Sequence, residues 1–526
     1  MLLDADTSPE LLPGYDYVVV GGGAAGCVLV RRLVESTDAR ILLIEAGPAD
    51  TGIADIDEAA RWTALLRSPF DWGYDYLPTA HVAGRAVGIP RGRVLGGSSS
   101  INAMMWYRGH PSDYDAWEAA GATGWNWSTL LPYFKRVEDW AGGADEFRGA
   151  GGPMRVEVSR DPHPLALAML EGAPEIGVPV IADPNGASNE GATLANLNAT
   201  TLPDGRMMRW STTRGYLRPV LDHPRVTVLT GSAALRVVVE EGRAVGIEHL
   251  VAGSPRTTRA DTGVVLTLGA IDTPKLLLLS GIGAAEHVSQ VGIPVTVDLP
   301  GVGDGYQDHP LVSGMNFSAS EPLGPLRDNG GGSMINWRSS LAGGKPDLHT
   351  FLVQESRPAP DVDPDADLSG NIFAMSPGLM GSRSTGHVRL RSADPAVAPE
   401  IDAGFLREPE DIAALLEAVD DILELAETSP FRALGARPLN AAAGRTRQEK
   451  VEFVRRGVDT FFHSAGSVRM GGDEAAPVTP ELRVRGIDGL WVADASVMPK
   501  LPTSNTQWPT LAIAERAADF IAPAAR

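Results

Sequence analysis

The stretch that most constrains the fold lies near the start of the chain. Tyr15-Asp16-Tyr17-Val18-Val19-Val20 is rich in β-branched and aromatic residues and reads as a buried strand. It runs straight into Gly21-Gly22-Gly23-Ala24-Ala25-Gly26, which fits G-x-G-x-x-G. A helical stretch follows to Glu35, and a second strand at 40–45 ends in Glu45, about 20 residues after Gly26. In a βαβ unit each feature has a physical task. Gly21 permits the tight turn, Gly23 lets the backbone approach a pyrophosphate, and Gly26 lets the helix pack on the sheet. The helix N-terminus offers that pyrophosphate free N–H groups and partial positive charge. Glu45 is placed to accept hydrogen bonds from a ribose. A glycine-rich turn with no ligand would not need all of these parts together.

The chain around this unit has 526 residues, enough for more than one domain and a large core. Its 59 glycines and 40 prolines predict many turns and close backbone contacts. A formal net charge of -21 argues against nucleic acid as a partner, since phosphate binding relies on clustered Lys and Arg. Cys27 is the only cysteine, which excludes an intramolecular disulfide and a Cys-rich metal site; no metal is expected. The N-terminus lacks a basic patch followed by an apolar run, and no apolar stretch approaches the roughly 18 residues of a membrane helix. A cytoplasmic enzyme without a membrane span is the expectation.

Three further segments carry a resemblance. One is Gly92-Arg93-Val94-Leu95-Gly96-Gly97-Ser98-Ser99-Ser100-Ile101-Asn102, continuing through Gly109 to Asp115. A second is Gly269-Ala270-Ile271-Asp272-Thr273-Pro274 through Ser280-Gly281-Ile282-Gly283. The third combines His463-Ser464-Ala465-Gly466, Val492-Ala493-Asp494-Ala495-Ser496 and Asn505-Thr506-Gln507-Trp508-Pro509-Thr510. In this order they resemble the signatures of the glucose–methanol–choline (GMC) oxidoreductases, and the resemblance spans residues 15 to 521. It implies an α/β fold: a doubly wound, Rossmann-like FAD-binding domain with an α+β substrate-binding domain. The expected FAD-binding domain comprises 1–155, 215–310 and 460–526, and the substrate domain 156–214 and 311–459.

The resemblance also implies roles. Gly96, Gly97, Ser98 and Asn102 should lie against the pyrophosphate and flavin, and the Ala234 backbone against the adenine. Asp494 and Ala495 should approach the ribityl chain, and Asn505, Thr506 and Gln507 the pyrimidine side of the flavin. Ala25, Ala46, Arg91 and Ala103 complete the expected cofactor wall. Pro509 is expected to open a helix, where its missing N–H costs nothing. Some family members attach FAD covalently through a His near the Gly-Gly-Ser-Ser turn. Here Ser100, Ile101 and Asn102 stand there, so noncovalent FAD is expected. The frequent Thr-Cys after His-x-x-Gly is Ser467-Val468, which argues against the light-driven decarboxylase branch.

Oxidising an alcohol removes a hydroxyl proton and a carbon-bound hydride, so a base must reach the hydroxyl. His463 matches the family's base, and an unperturbed pKa near 6.5 suits neutral pH. Asn505 matches a second position occupied by His or Asn; its amide can donate to a developing alkoxide. His309 reads as a structural hydrogen-bonding residue and His110 as a loop residue. By family position the resemblance implies pocket residues Ala103, Phe373, Met375, Phe461, Phe462 and Trp508, a largely apolar set that suits an aromatic or furanic primary alcohol. Bacterial aryl-alcohol and hydroxymethylfurfural oxidases and choline dehydrogenase-like members are the nearest resemblance. Hydroxynitrile lyase chemistry on the same scaffold and choline or aliphatic alcohol dehydrogenation stay open. Neither the electron acceptor, O2 or another, nor the oligomeric state is written in the motifs.

Overall fold

The computed structural model describes residues 1–439 and 445–522 and is organised by two large sheets. The first has eight strands: β1 (Leu2–Asp4), β2 (Gly14–Val20), β3 (Ile41–Ile44), β4 (Val226–Thr230), β5 (Ala234–Glu240), β6 (Arg243–Val251), β7 (Ser254–Leu266) and β8 (Leu490–Val492). Their order is β1-β4-β3-β2-β7-β6-β5, with β8 also on β7. From β1 to β7 all pairs are parallel, whereas β5 and β6 form an antiparallel ribbon on the first half of β7. The second half of β7 pairs β8 along Val264–Leu266. Val18, Val19, Leu42, Leu43, Val264 and Val265 are wholly buried. Their unbroken apolar runs reflect a parallel sheet covered on both faces.

Helix α1 (Ala24–Ser36) links β2 to β3 and packs on α3 (Gln507–Ile521); α2 (Gly269–Leu279) follows β7. Because β3 lies on one side of β2 and β7 on the other, the carboxyl end of β2 is a topological switch point, where open α/β sheets bind ligands.

The second sheet has nine strands. Its middle, Leu348–Val353, neighbours Ile372–Met375, Gly378–Leu379 and Ser333–Trp337. The Pro409–Ala426 helix buries Leu415, Ala418, Val419 and Ile422 in the same core as Phe317, Phe373 and Met375. At one end, Pro310–Val312 pairs with Val458–Thr460. That pairing sets the loops carrying Asp308-His309 and Phe461-Phe462-His463 side by side. A doubly wound α/β layer joined to a second α+β layer is the architecture the sequence predicts. Met154–Val158, which pairs with Glu138–Trp140 and Asn196–Leu197, runs across the expected 155/156 boundary. Among the described residues, no helix is long and apolar enough to cross a membrane.

Candidate active site

A cavity of about 1020 Å³ is lined by residues of both sheets. Its dinucleotide part is built from glycines whose constraints differ. Gly21 has φ +104°, and an added Cβ would lie 2.6 Å from Thr267 O; at Gly26 it would lie 2.1 Å from Gly21 O. Packing of the protein itself demands glycine at both. Gly23 is different. Its φ is -76°, and the nearest atoms to an added Cβ are Thr267 O at 3.8 Å and Gly97 Cα at 4.0 Å. The space in front of Gly23, which lines the cavity, suits the pyrophosphate expected there. Gly97, at φ +54°, brings the second glycine loop so close that a Cβ would sit 2.8 Å from Gly23 Cα.

Glu45, at the end of β3, accepts from the Gly22 and Gly47 N–H groups, each at 2.8 Å. Burial pushes its carboxyl up to about 7, and its oxygens keep lone pairs for a ribose. Ala25, Ala46, Arg91, Ser98, Ala103, Ala234, Ala495 and Thr506 line the same cavity. Gly96 and Gly26 do not face it; they shape the turns behind it. Asp494, just after β8, accepts from Gly269 N at 2.8 Å and Thr273 Oγ1 at 2.6 Å, tying the strand to the start of α2.

A polar chain reaches the cavity from behind. The buried Arg209 guanidinium donates to the backbone and side-chain oxygens of Asn102, and Asn102 Nδ2 donates to Gln507 Oε1. Among the described residues, Gln507 Nε2 is then a buried donor without a partner at the cavity wall. Leaving such a donor unmet costs about 1–3 kcal/mol, which a ligand carbonyl would relieve. These features fit a flavin dinucleotide. Arg209, pushed down to about 9 by burial, had no motif to mark it. Helix α3 begins at Gln507, two residues before Pro509, so the proline sits within the first turn instead of opening it.

The two residues expected to carry the proton chemistry, His463 and Asn505, meet at the cavity. His463 Nε2 lies 3.0 Å from Asn505 Nδ2, and His463 Nδ1 lies 2.9 Å from His309 Nδ1. Burial pushes His463 well below its ordinary value, with His309, His349 and Arg91 adding to the effect. His309 and His349 are each lowered to about 3, chiefly by burial. All three imidazoles are therefore neutral at neutral pH. Buried Asp308 orders the loop: Oδ1 accepts from His463 N at 2.7 Å, and Oδ2 accepts from Tyr76 and Thr460 hydroxyls. Phe462 adopts φ +66°, held by Phe462 N donating to Thr460 Oγ1 at 2.7 Å and by Arg91 donating to its carbonyl. A phenylalanine in that region is strained, and here the strain sits beside the His463 imidazole.

Three expected pocket residues lie elsewhere. Phe373 stacks between Phe317 and Phe431, and Met375 is buried in the same core. Trp508 stacks on Trp106 at 4.6 Å and meets Phe134, on the side of α3 away from the cavity. A helix turns by about 100° per residue, so neighbours of Gln507 face different ways. Phe461 and Phe462 do line the cavity, joined by Trp62, Phe351 and Arg357, which carry no motif. His309 is hydrogen-bonding as expected, and its partner is His463. His110 caps the Pro111–Ala119 helix, accepting from Ser112 N at 3.2 Å.

Comparison with known proteins identifies the family. The GMC oxidoreductase family matches residues 15–311 and 382–514. The oxygen-dependent choline dehydrogenase of Brucella suis is 36% identical over 96% of this chain and 95% of its own. The crystal structure of pyridoxine 4-oxidase from Mesorbium loti superposes with a TM-score of 0.88 at 33% identity, covering 96% of this chain and 98% of the other. A fungal aryl-alcohol oxidase, at 23% identity and a TM-score of 0.81 over 97% and 99% of the two chains, shares the fold. The chain belongs to the GMC oxidoreductases and is an FAD-dependent enzyme of that family, acting on alcohols.

Proposed function

We propose that the enzyme oxidises an aromatic or furanic primary alcohol to the aldehyde, with His463 as the base and Asn505 as the orienting donor. The observation that carries this reading is the 3.0 Å approach of His463 Nε2 and Asn505 Nδ2 at a wall built from Phe461, Phe351 and Trp62. Bound FAD supplies the hydride acceptor. Asn505 Nδ2 donates, so His463 presents a lone pair at Nε2 and carries its proton on Nδ1, where His309 accepts it. A substrate hydroxyl arriving between the two side chains gives its proton to His463 Nε2, and the Asn505 amide stabilises the oxygen left behind. The apolar walls exclude water from the departing hydride. FAD is held without a covalent link, by Gly21, Gly23, Glu45, Ser98, Asn102, Asp494 and Gln507, because residues 98–103 contain no His. Electrons then pass to O2 or another acceptor.

Choline oxidation is the second reading, favoured by the 36% identity to a choline dehydrogenase. Anaerobic mixing of the holoenzyme with benzylic, furanic, aliphatic, sugar and choline substrates decides between them. Aromatic and furanic alcohols should bleach the flavin bands with the highest kcat/KM; a higher value for choline would overturn the proposal. A flavin that no alcohol bleaches would shift the reading to lyase chemistry.

A further inference from the structure

We infer that the preferred alcohol carries an anionic group, a carboxylate above all, and that Arg357 is the side chain that selects it. This deepens the alcohol-oxidation reading and rests on it. Arg357 follows the Leu348–Val353 strand and lines the cavity. Its backbone is clamped on both sides: Arg357 N donates to Asn316 Oδ1 at 2.7 Å, and Asn316 Nδ2 donates to Arg357 O at 2.9 Å. Its guanidinium lies 4.8 Å from the Trp62 ring centroid. Trp62 is itself fixed, because its Nε1–H donates to Asn329 O at 2.9 Å. Asn329 Nδ2 in turn donates to Ala103 O at 2.8 Å, beside Asn102. The guanidinium is therefore held against a rigid wall tied to the flavin side of the cavity.

No hydrogen bond or ion pair engages that guanidinium among the described residues. The carboxylates that act on it, Asp459 and Glu355, form no salt bridge with it, and each is already engaged. Asp459 accepts from Ser313 Oγ at 3.1 Å and Thr460 N at 2.8 Å, and Glu355 accepts from Thr63 at 3.4 Å. Burial lowers the Arg357 pKa, though a guanidinium keeps its proton. The result is a half-buried cation whose N–H donors are unspent among the described residues. A planar carboxylate matches that fork with two parallel hydrogen bonds.

The rest of the wall fixes the other half of the substrate. Phe461 packs at 5.4 Å from the His463 ring and 5.8 Å from Phe351, and Phe351 and Trp62 pack in one apolar cluster. A flat ring along this wall would place its hydroxymethyl group at His463 and its anionic substituent at Arg357. A quaternary ammonium would meet the same cation and be repelled. The net charge of -21 does not attract anions from solution, so the selection is made inside the cavity.

The test compares wild type, Arg357→Met and Arg357→Lys holoenzymes. Each is assayed with 4-(hydroxymethyl)benzoate and benzyl alcohol, and titrated with benzoate while the visible flavin spectrum is followed. Wild type should prefer the carboxylate-bearing alcohol in kcat/KM. Arg357→Met should cut that preference by on the order of tenfold to a hundredfold, the worth of a hydrogen-bonded charge, and Arg357→Lys should restore part of it. Benzoate should bind more weakly to Arg357→Met by a similar factor. Benzyl alcohol oxidised as well as its carboxylate by wild type, or an unchanged preference in Arg357→Met, would overturn the inference and leave alcohol oxidation standing. If neither alcohol bleaches the flavin, the aromatic-alcohol reading fails, and the benzoate titration judges Arg357 alone: equal affinity in wild type and Arg357→Met overturns the anion site, and a loss supports it.

Discussion

His309 and His463 meet Nδ1 to Nδ1 at 2.9 Å, so only one of the two can carry a proton at that contact. Asn505 decides which. Its amide donates to His463 Nε2, which forces the His463 proton onto Nδ1 and makes His309 the acceptor. The buried His309 Nε2 then holds the His309 proton. His309→Leu removes the acceptor that fixes this tautomer, whereas His309→Gln offers an amide oxygen in its place. Leu should slow flavin reduction in stopped-flow by about tenfold or more, and Gln should recover much of the rate, as expected when a base is held in the wrong tautomer. Equal rates for both variants would remove His309 from the proton chemistry.

His463→Ala should keep FAD bound, since no cofactor contact is lost from the glycine loops. Flavin reduction should fall by about 10²-fold or more, the scale of a lost general base. Anaerobic stopped-flow measures it, and unchanged kinetics would exclude His463 as the base.

The pH profile follows from the same burial. His463 is held below its ordinary 6.5, and only its neutral form accepts a proton. As pH falls, the inactive imidazolium forms late. kcat/KM should therefore be flat at neutral pH and drop only through an inflection below 6.5. An inflection above that value would show that the bound flavin reverses the effect of burial.

Gly23→Ala and Gly97→Ala separate cofactor space from protein packing. At Gly23 an added methyl meets nothing closer than 3.8 Å, so the apoprotein should melt unchanged. FAD affinity should nevertheless fall by about tenfold or more, as for a methyl forced into filled space. At Gly97, φ +54° and a 2.8 Å approach to Gly23 Cα should also lower the melting temperature of the apoprotein. Calorimetry and FAD titration of both variants would show whether the two effects separate.

Phe373→Ala should cost about 3–5 kcal/mol of stability through a core cavity. Its KM should not move, because Phe373 stacks on Phe317 and Phe431 far inside the second layer. Phe461→Ala should do the reverse and raise KM for aromatic alcohols, since that ring lines the cavity beside His463. Denaturant titration and steady-state kinetics on both variants check the contrast.

The cofactor half of the site was legible because its signals are local. Gly21, Gly23, Gly26 and Glu45 belong to one continuous βαβ unit whose geometry follows from backbone sterics and helix dipoles. His463 and Asn505 were legible through short motifs, and the structure places their side chains 3.0 Å apart. Family position and apolarity misplaced Phe373, Met375 and Trp508, because a buried apolar side chain looks the same in a chain whether it faces a core or a cavity.

What the sequence determined by itself is the FAD-binding unit, the family and a polar pair, His463 and Asn505, that the fold brings together. What only the tertiary structure decided is what surrounds that pair: His309 against His463, Arg209 behind Asn102, and Arg357 against Trp62. Those relationships join residues up to 295 positions apart. Local patterning encodes turns, strands and helices within a few residues. The pairing or isolation of a buried charge depends on every element packed around it, and that is known only once the chain has closed.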